Sequence, residues 1–142
     1  MDNIKLKIIT PERITYESDG INQATLPVSD GEVTILPNHR SYIASLKPGE
    51  VILKKDGEEI DLAISGGFIE FHDNELVVLA DEAERAEEID LEKAEEAKKR
   101  AEDIKNKVIS TDEAEYARVA AALEKELAKI KVAKKYLRRR GL

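Results

Sequence analysis

Cysteine and tryptophan are absent from this 142-residue chain, and aromatic residues make up only 4% of it. The lack of cysteine excludes disulfides, thiolate metal sites and cysteine nucleophiles. Apolar residues make up 42% of the chain, so a hydrophobic core can form. Because aromatic residues are so few, we expect that core to be aliphatic.

Long apolar segments are also lacking. Residues 1–10 alternate charged side chains with Ile and Leu and contain no apolar segment of the kind found in signal peptides. No run approaches the ~18 apolar residues that a membrane-spanning helix needs. We therefore expect any association with a membrane to go through a partner.

Charged residues, in contrast, are abundant. They make up 37% of the chain, against roughly 25% in an average soluble domain. An excess of this size is typical of long solvated helices. The formal net charge of −7 argues against general nucleic-acid binding.

The first 80 residues consist of short β-type runs between turn residues. The run at residues 4–8 alternates apolar and basic side chains, which is typical of a half-buried strand. The other predicted strands are residues 13–17, 21–28, 32–36, 41–46, 50–55, 58–64, 67–72 and 75–79. Their predicted turns include Asp19-Gly20, Asp30-Gly31, Pro37-Asn38, Lys47-Pro48-Gly49, Asp56-Gly57 and Asp73-Asn74. Strands at this spacing, with no helical segment between them, indicate a sandwich or a barrel.

From Asp81 onwards the composition changes to Ala, Glu and Lys. Two apolar stripes with helical spacing follow. They are Ala94, Ala97, Ala101, Ile104 and Val108, and then Tyr116, Ala120, Leu123, Leu127, Ile130 and Leu137. Ser110 and Glu113 fit a capping box at the start of a second helix. A short link between two such helices makes them antiparallel neighbours.

We therefore predict a β + α protein, with an N-terminal antiparallel β-sandwich of about ten strands and a C-terminal antiparallel two-helix hairpin. The predicted domains are residues 1–84 and residues 85–142. The apolar seam of the first helix is mostly alanine, which buries little area. The sequence leaves two interpretations open: a hairpin stably docked on the sandwich, or one with more than one arrangement, as a switch requires.

The sequence contains no set of residues with catalytic or metal-binding spacing. His39 and His72 lie in different turns, and neither has acidic residues at ligand spacing on its own element. Ser65-Gly66-Gly67 lacks the Gly-Lys-Ser/Thr ending and the following helix of a phosphate-binding loop. This favours a coupling or regulatory subunit over a self-contained enzyme.

Four motifs occur in order along the chain. They are Asp30-Gly31-Glu32-Val33-Thr34-Ile35-Leu36-Pro37-Asn38-His39, Leu46-Lys47-Pro48-Gly49, Ser65-Gly66-Gly67-Phe68-Ile69-Glu70, and Leu79-Ala80-Asp81-Glu82-Ala83-Glu84-Arg85-Ala86 followed by Ile89-Asp90. Together they resemble the epsilon subunit of bacterial F-type ATP synthase, and the resemblance covers nearly the whole chain.

The resemblance implies a non-catalytic role in a proton-translocating enzyme. The implied partners are the gamma subunit, the c-subunit ring and the catalytic beta and alpha subunits, with no nucleic acid. The C-terminal helices either fold against the sandwich or extend along gamma and inhibit ATP hydrolysis. The implied location is the cytoplasmic face of the bacterial plasma membrane, as a peripheral protein attached through the complex.

The resemblance also assigns residues to contacts. The candidates for contact with the gamma subunit and the c-ring are Glu32, Pro37, Asn38 and His39. Pro37 fixes φ and Asn38 tolerates unusual backbone geometry, so we expect a firmly shaped loop. The alternative is an ordinary surface turn.

Some members of this family bind ATP on the hairpin through an Ile/Leu-Asp-x-x-Arg-Ala motif and further arginines. The corresponding candidates here are Ile89, Asp90, Lys93, Arg100, Lys125 and Lys129. Lys93 replaces the motif's arginine and lacks the planar fork that grips phosphate at two points. No cofactor is required, and ATP is a candidate regulatory ligand. The alternative is that Asp90 only caps a helix, which needs no ligand.

The two halves of the hairpin carry opposite charge. Residues 81–96 contain nine acidic and two basic residues, whereas residues 118–142 contain nine basic and two acidic residues. A basic helix of this kind favours an acidic partner surface, which the resemblance identifies as a segment of the beta subunits. The candidates for this inhibitory basic arm are Arg118, Lys131, Lys134, Lys135, Arg138, Arg139 and Arg140. The alternative is a solvated face with attraction within the hairpin.

A second hypothesis belongs to another class of protein. The chain could be a free-standing β-sandwich binding module whose basic helical arm binds RNA or protein. Tyr136 is the only aromatic residue within the basic run, which weakens the RNA hypothesis.

Overall fold

The computed structural model describes residues 2–107 and 113–141. Its strands are β1 (Ile4–Ile9), β2 (Ile14–Ile21), β3 (Gln23–Val28), β4 (Gly31–Ile35), β5 (Tyr42–Ser45), β6 (Gly49–Lys55), β7 (Glu58–Ser65), β8 (Phe68–His72), β9 (Glu75–Leu79) and β10 (Glu82–Arg85). A 3₁₀ turn at Ala86–Glu88 leads into α1 (Leu91–Lys107), and α2 spans Glu113–Arg139. The predicted end of the first stripe at Val108 and the predicted cap Ser110 lie outside the described residues.

The strands form two five-stranded sheets. Sheet A has the order β2-β1-β9-β8-β5, and sheet B has the order β10-β7-β6-β3-β4. β1 pairs with β9 in parallel, and the remaining strand pairs of the two sheets are antiparallel. The predicted β-sandwich followed by two helices is confirmed.

The core lies between the two sheets. Along β1 the side chains of Ile4, Leu6 and Ile8 are fully buried, while Lys5 and Lys7 alternate with them. Aliphatic residues from both sheets complete this core, as expected, and among the described residues Phe71 is the one fully buried aromatic side chain in it. At about 25 cal/mol per Å², these apolar side chains are the main source of the sandwich's stability.

The sequence-based assignment missed β10. Glu82–Arg85 contains Glu, Ala and Arg, which favour helices, and no β-branched residue. It is nevertheless a strand, because its backbone pairs with Leu62–Ser65 of β7 and buries Ala83 in the core. Tertiary pairing therefore overrides the local propensity here.

The predicted turn at Asp19-Gly20 is wrong. Both residues lie inside β2, and the pairing with β1 shifts by one residue between Ile4↔Ile21 and Leu6↔Ser18. The extra residue makes a β-bulge, in which the Gly20 N–H donates to Ser18 Oγ at 3.2 Å. Bulges and turns use the same residue types, so the sequence signal is ambiguous.

Gly66 and Gly67 permit a close approach between the ends of β-strands. Both have positive φ, and a Cβ on Gly67 would lie 1.8 Å from the carbonyl oxygen of Leu79. A side chain at Gly67 is therefore excluded by the neighbouring backbone.

The two helices pack against each other, and α2 also packs on β6 and β7 of sheet B. A small second core joins them, consisting of Ala63, Ala86 and Val132 with Ile89 and Tyr136 against it. Neither helix, as far as the structure describes them, has an apolar stretch long enough to cross a membrane.

Candidate docking faces and helical arm

The outer face of sheet A carries a row of exposed or half-buried apolar side chains. The strand register places Phe68 beside Leu79, Leu79 beside Ile9, and Ile9 beside Ile14. Phe68 is 47% exposed and Ile14 is 50% exposed. Ile43, on the edge strand next to β8, is 73% exposed. We call these five residues the apolar row. A contiguous exposed apolar surface of this kind marks an interaction site.

Sequence reasoning missed the apolar row. Ile43 and Phe68 are visibly apolar in the sequence, but residues next to them along β5 and β8 are apolar as well. When both faces of a strand carry apolar residues, alternation alone does not tell which face is inside.

One end of the sandwich holds the predicted contact loop. The Asn38 N–H donates to Asn74 Oδ1 at 2.5 Å, and Asn74 Nδ2 donates to Asn38 Oδ1 at 3.0 Å. Asn38 has φ 68°, and the His39 N–H closes the turn on the carbonyl of Leu36 at 3.1 Å. These bonds fix the Pro37-Asn38 turn to the β8–β9 hairpin, so the loop is shaped as expected.

The four contact candidates differ in position and in how they are presented. Glu32 and Asn38 are exposed, but Glu32 lies near the start of β4, whereas the loop follows the end of that strand. The His39 ring is half-buried, with its centroid 5.8 Å from that of Phe71 and 6.0 Å from that of Tyr42. His39 therefore contributes mainly packing, whereas Glu32 and Asn38 present polar groups to solvent.

Basic residues of α2 meet acidic residues of sheet B. Lys131, Lys135 and Arg139 recur every four residues and so share one face of the helix. On β7, Glu59 and Asp61 alternate with inward residues and therefore point out of sheet B. The arm candidates thus lie against acids of the chain's own sandwich.

The closest of these contacts form a cluster that we call the ionic clasp: Glu50, Glu59 and Asp61 of sheet B with Lys135 and Arg139 of α2. Lys135 Nζ lies 2.9 Å from Glu59 Oε2, 3.1 Å from Glu50 Oε2 and 3.4 Å from Asp61 Oδ1. Arg139 pairs with Glu59 and, at 2.7 Å, with Asp61 Oδ2. The clasp joins the C-terminal part of α2 to sheet B, while Lys125 and Lys129 pair with acids of β10.

Asp61 is the most buried acid of the clasp, with only 1% of its side chain exposed. Burial raises the pKa of Asp61, and the attraction of Lys135 offsets this only in part. The ionised carboxylate therefore depends on its cationic partners. Removing one of them leaves a buried charge without full compensation.

The remaining arm candidates are more exposed. Lys134 lies 3.8 Å from Glu95 of α1, and Arg140 lies over the ring of Tyr136 at 5.5 Å. Within residues 2–107 and 113–141, no ion pair involves Arg118 or Arg138. These side chains are available to solvent or to a partner.

A cavity of about 400 Å³ lies between α1, α2 and the end of β10. Among the predicted nucleotide-binding residues, it is lined by Ile89, Asp90, Lys93, Arg100 and Lys129. Lys125 lies outside it, beside Arg100 in a neighbouring groove, and pairs with Glu82 at 3.0 Å. The structure thus brings most of the predicted set together.

The charges in this cavity are mixed. Lys129 pairs with Glu84 at 2.9 Å. Burial alone would lower the pKa of Lys129, but its hydrogen bond to Glu84 and the nearby carboxylates outweigh burial and raise it. Asp90 caps α1, because its Oδ1 accepts the Lys93 N–H at 3.1 Å. This hydrogen bond is the helix cap that the sequence offered as the alternative role of Asp90.

No group of side chains with metal-ligand geometry occurs within the described part of the chain. The structure instead presents an apolar sheet face, a loop-bearing end and a helical hairpin attached by ion pairs. Surfaces of this kind suit a protein that binds other proteins.

Comparison with known proteins identifies the assembly. Residues 3–86 match the model of the β-sandwich domain of the ATP synthase delta/epsilon chain, and residues 87–134 match that of its long α-helix domain. The chain belongs to the ATP synthase delta/epsilon chain family. Membership confirms the predicted family and the prediction that the chain is not an enzyme in its own right.

Similar proteins support this assignment. The ATP synthase epsilon chain of Bacillus velezensis is 41% identical over 133 residues, which cover 94% of this chain and 98% of that one. The epsilon chain of Dehalococcoides mccartyi is 42% identical over 136 residues, 95% of either chain. A chain of the Euglena gracilis mitochondrial ATP synthase, in a structure of OSCP, F1 and c-ring, superposes with a TM-score of 0.77 at 26% identity, over 94% of this chain and 82% of that one.

Proposed function

We propose that this chain is the epsilon subunit of the central stalk of a bacterial proton-translocating ATP synthase. In this role the β-sandwich binds the gamma subunit and the c-ring, and the helical arm meets the catalytic beta and alpha subunits. The Euglena chain that it resembles comes from an assembly containing F1 and a c-ring, which supports these partners. The alternative of a free-standing RNA-binding module has no support in the family to which the chain belongs.

The observation that carries this proposal is the difference between the two outer faces of the sandwich. Sheet B is covered by α2, whereas sheet A leaves its apolar row exposed. An interface whose centre is apolar suits permanent attachment to a protein partner. We assign the apolar row to the gamma subunit. We assign Glu32, Pro37, Asn38 and His39 to the c-ring contact.

The division of the chain into residues 1–84 and 85–142 stays part of this proposal, with the second segment as a regulatory arm. The arm's basic residues are Arg118, Lys131, Lys134, Lys135, Arg138, Arg139 and Arg140. Three of them, Lys131, Lys135 and Arg139, are paired with acids of sheet B when the arm is docked. An acidic segment of the beta subunits would compete for the same cations, so docking on sheet B and inhibition exclude each other.

The complex would stand at the cytoplasmic face of the plasma membrane, with this chain as a peripheral component. The bacterial relatives support this location. ATP would act as a regulatory ligand in the cavity between the helices, with Ile89, Asp90, Lys93 and Arg100 as its contacts. Lys125 and Lys129 would take part only after leaving their acidic partners.

Deleting residues 111–142 should raise the rate of ATP hydrolysis of the reconstituted complex and leave its assembly intact. The reason is that the sandwich core is formed by residues of the two sheets alone, while the inhibitory charges lie on α2. Steady-state hydrolysis and co-purification with the gamma subunit measure the two effects, with the full-length chain as control. An unchanged hydrolysis rate would contradict the inhibitory role, and loss of co-purification would contradict docking through the sandwich.

A further inference from the structure

Glu126 of α2 is a buried carboxylate that the hydrogen bonds of the described fold leave partly unsatisfied. It is 7% exposed and lies where α2 faces α1. Its Oε2 atom is inaccessible to solvent and has no hydrogen-bond partner among the described residues. A buried acceptor in this state costs free energy, because it has lost its water without gaining a donor. Such a group in a native fold calls for an explanation.

Only a weak attraction offsets this cost. Among the described residues, the one cation that pairs with Glu126 is Lys129, whose Nζ lies 3.8 Å from Glu126 Oε1. Lys129 is itself held by a hydrogen bond to Glu84 of β10 at 2.9 Å. Lys129 would therefore stay paired if Glu126 were replaced, and Glu126 gains little from this distant cation.

The helices that enclose Glu126 bury little apolar surface against each other. Over its described length, α1 has two buried residues, Ala94 and Ala101, and both are small. Ile104 on α1 and Leu127 on α2 stay 52% and 43% exposed. Because hydrophobic stabilisation scales with the apolar area buried, a seam of this kind holds the hairpin closed only weakly. An unsatisfied carboxylate beside this seam therefore weighs heavily in the balance between a closed and an open hairpin.

When the hairpin opens, water reaches Glu126 and hydrates both of its carboxylate oxygens. The open state thus recovers the free energy that the closed state loses at this residue. We propose that Glu126 is a built-in destabilising residue that keeps the closed arm poised to open. This inference rests on the proposed regulatory arm and goes beyond it, because it names a residue that sets how readily the arm leaves sheet B.

The test replaces Glu126 by a side chain of similar length that needs no hydrogen bond. Glu126→Met should stabilise the closed hairpin, because methionine is apolar and forms helices about as readily as glutamate. Hydrogen exchange of the free full-length chain measures the effect, since protected amides exchange only when the structure around them opens. The amides of residues 126–139 should exchange about tenfold more slowly, which corresponds to about 1.4 kcal/mol.

Glu124→Met is the matched control. It makes the same change of charge and of helix propensity two residues earlier on α2, but Glu124 is exposed. Exchange in residues 126–139 should therefore stay at the wild-type rate. The amides of β1, whose apolar side chains lie in the sandwich core, should exchange at the wild-type rate in every variant. Glu126→Gln separates charge from burial, because it is neutral but still polar, and it should slow exchange less than Glu126→Met does.

Faster exchange in Glu126→Met, or the same rate as in Glu124→Met, would overturn the proposal, because Glu126 would then hold the arm closed or have no effect on it. In the reconstituted complex, Glu126→Met should also hydrolyse ATP faster than the wild type, since a more stable closed arm inhibits less. Slower exchange without faster hydrolysis would support the role of Glu126 in the hairpin and contradict the inhibitory role of the arm. The two proposals therefore fail through different measurements.

Discussion

Lys135→Ala is expected to release the helical arm from sheet B, whereas Lys134→Ala is expected to leave it docked. Lys135 is 24% exposed and contacts three carboxylates within 3.4 Å. Its removal leaves Asp61 and Glu50 buried with only Arg139 and the more distant Lys131 as compensation. Breaking a buried ion pair costs about 3–5 kcal/mol. Because Arg139 remains, we expect a loss of about 2–3 kcal/mol of docking free energy.

Lys134 is a matched control because it is the same residue type, one position earlier on the same helix. It is 52% exposed and has one 3.8 Å contact, to Glu95 of α1. Exposed pairs of this kind contribute less than about 1 kcal/mol. Lys134→Ala should therefore leave docking intact.

The chain has no cysteine, so a pair of introduced cysteines can be labelled without a background. Labels at Glu70 and Arg138, both exposed, report the distance between sheet A and the end of α2. The distance distribution should broaden and lengthen for Lys135→Ala and stay narrow for Lys134→Ala. Identical distributions for the two variants would mean that the ionic clasp does not hold the arm.

Phe68→Lys is expected to prevent binding to the gamma subunit without unfolding the chain. Phe68 is 47% exposed in the apolar row, beside Leu79, so a lysine there is solvated in the free protein. In a complex it would place a charge within the apolar part of the interface. Central aromatic residues of interfaces contribute about 2 kcal/mol or more, which corresponds to a loss of about 30-fold or more in affinity.

Ile104→Lys is the control for Phe68→Lys. Ile104 is 52% exposed on α1, away from sheet A, and the substitution adds the same charge. Surface plasmon resonance with immobilised gamma subunit should show weakened binding for Phe68→Lys and wild-type binding for Ile104→Lys. Wild-type affinity in both variants would mean that the outer face of sheet A is not the gamma-binding face.

Much of the fold could be predicted from the sequence because its signals are local. The alternation that predicts β1 and the turn signal Asp56-Gly57 depend only on neighbouring residues. In the structure β1 is a strand, and Asp56-Gly57 is the turn of the hairpin formed by β6 and β7. The missed strand β10 and the bulge at Asp19-Gly20 depend on pairing with distant strands. Local propensity carries no information about such partners.

The candidate sites also divide into those that local spacing predicts and those that depend on contacts between distant parts of the chain. Asp90, Lys93 and Arg100 line one cavity because their spacing places them on one face of α1 or at its start. The ionic clasp could not be foreseen, since it requires the register of β6 with β7 and the docking of α2 across both. The excess of basic residues in α2 could be read from the sequence. In this structure, however, the acidic residues that pair with them belong to the same chain.

We propose that the arm is stored on sheet B and inhibits ATP hydrolysis only after leaving it. The most direct measurement uses a chain with cysteines at positions 59 and 139, whose native side chains form an ion pair, joined by a reducible bismaleimide cross-linker. ATP hydrolysis of the reconstituted complex is measured before and after reduction. The locked complex should hydrolyse ATP as fast as the complex lacking residues 111–142, and reduction should restore inhibition. A locked complex inhibited as strongly as the reduced one would contradict this proposal.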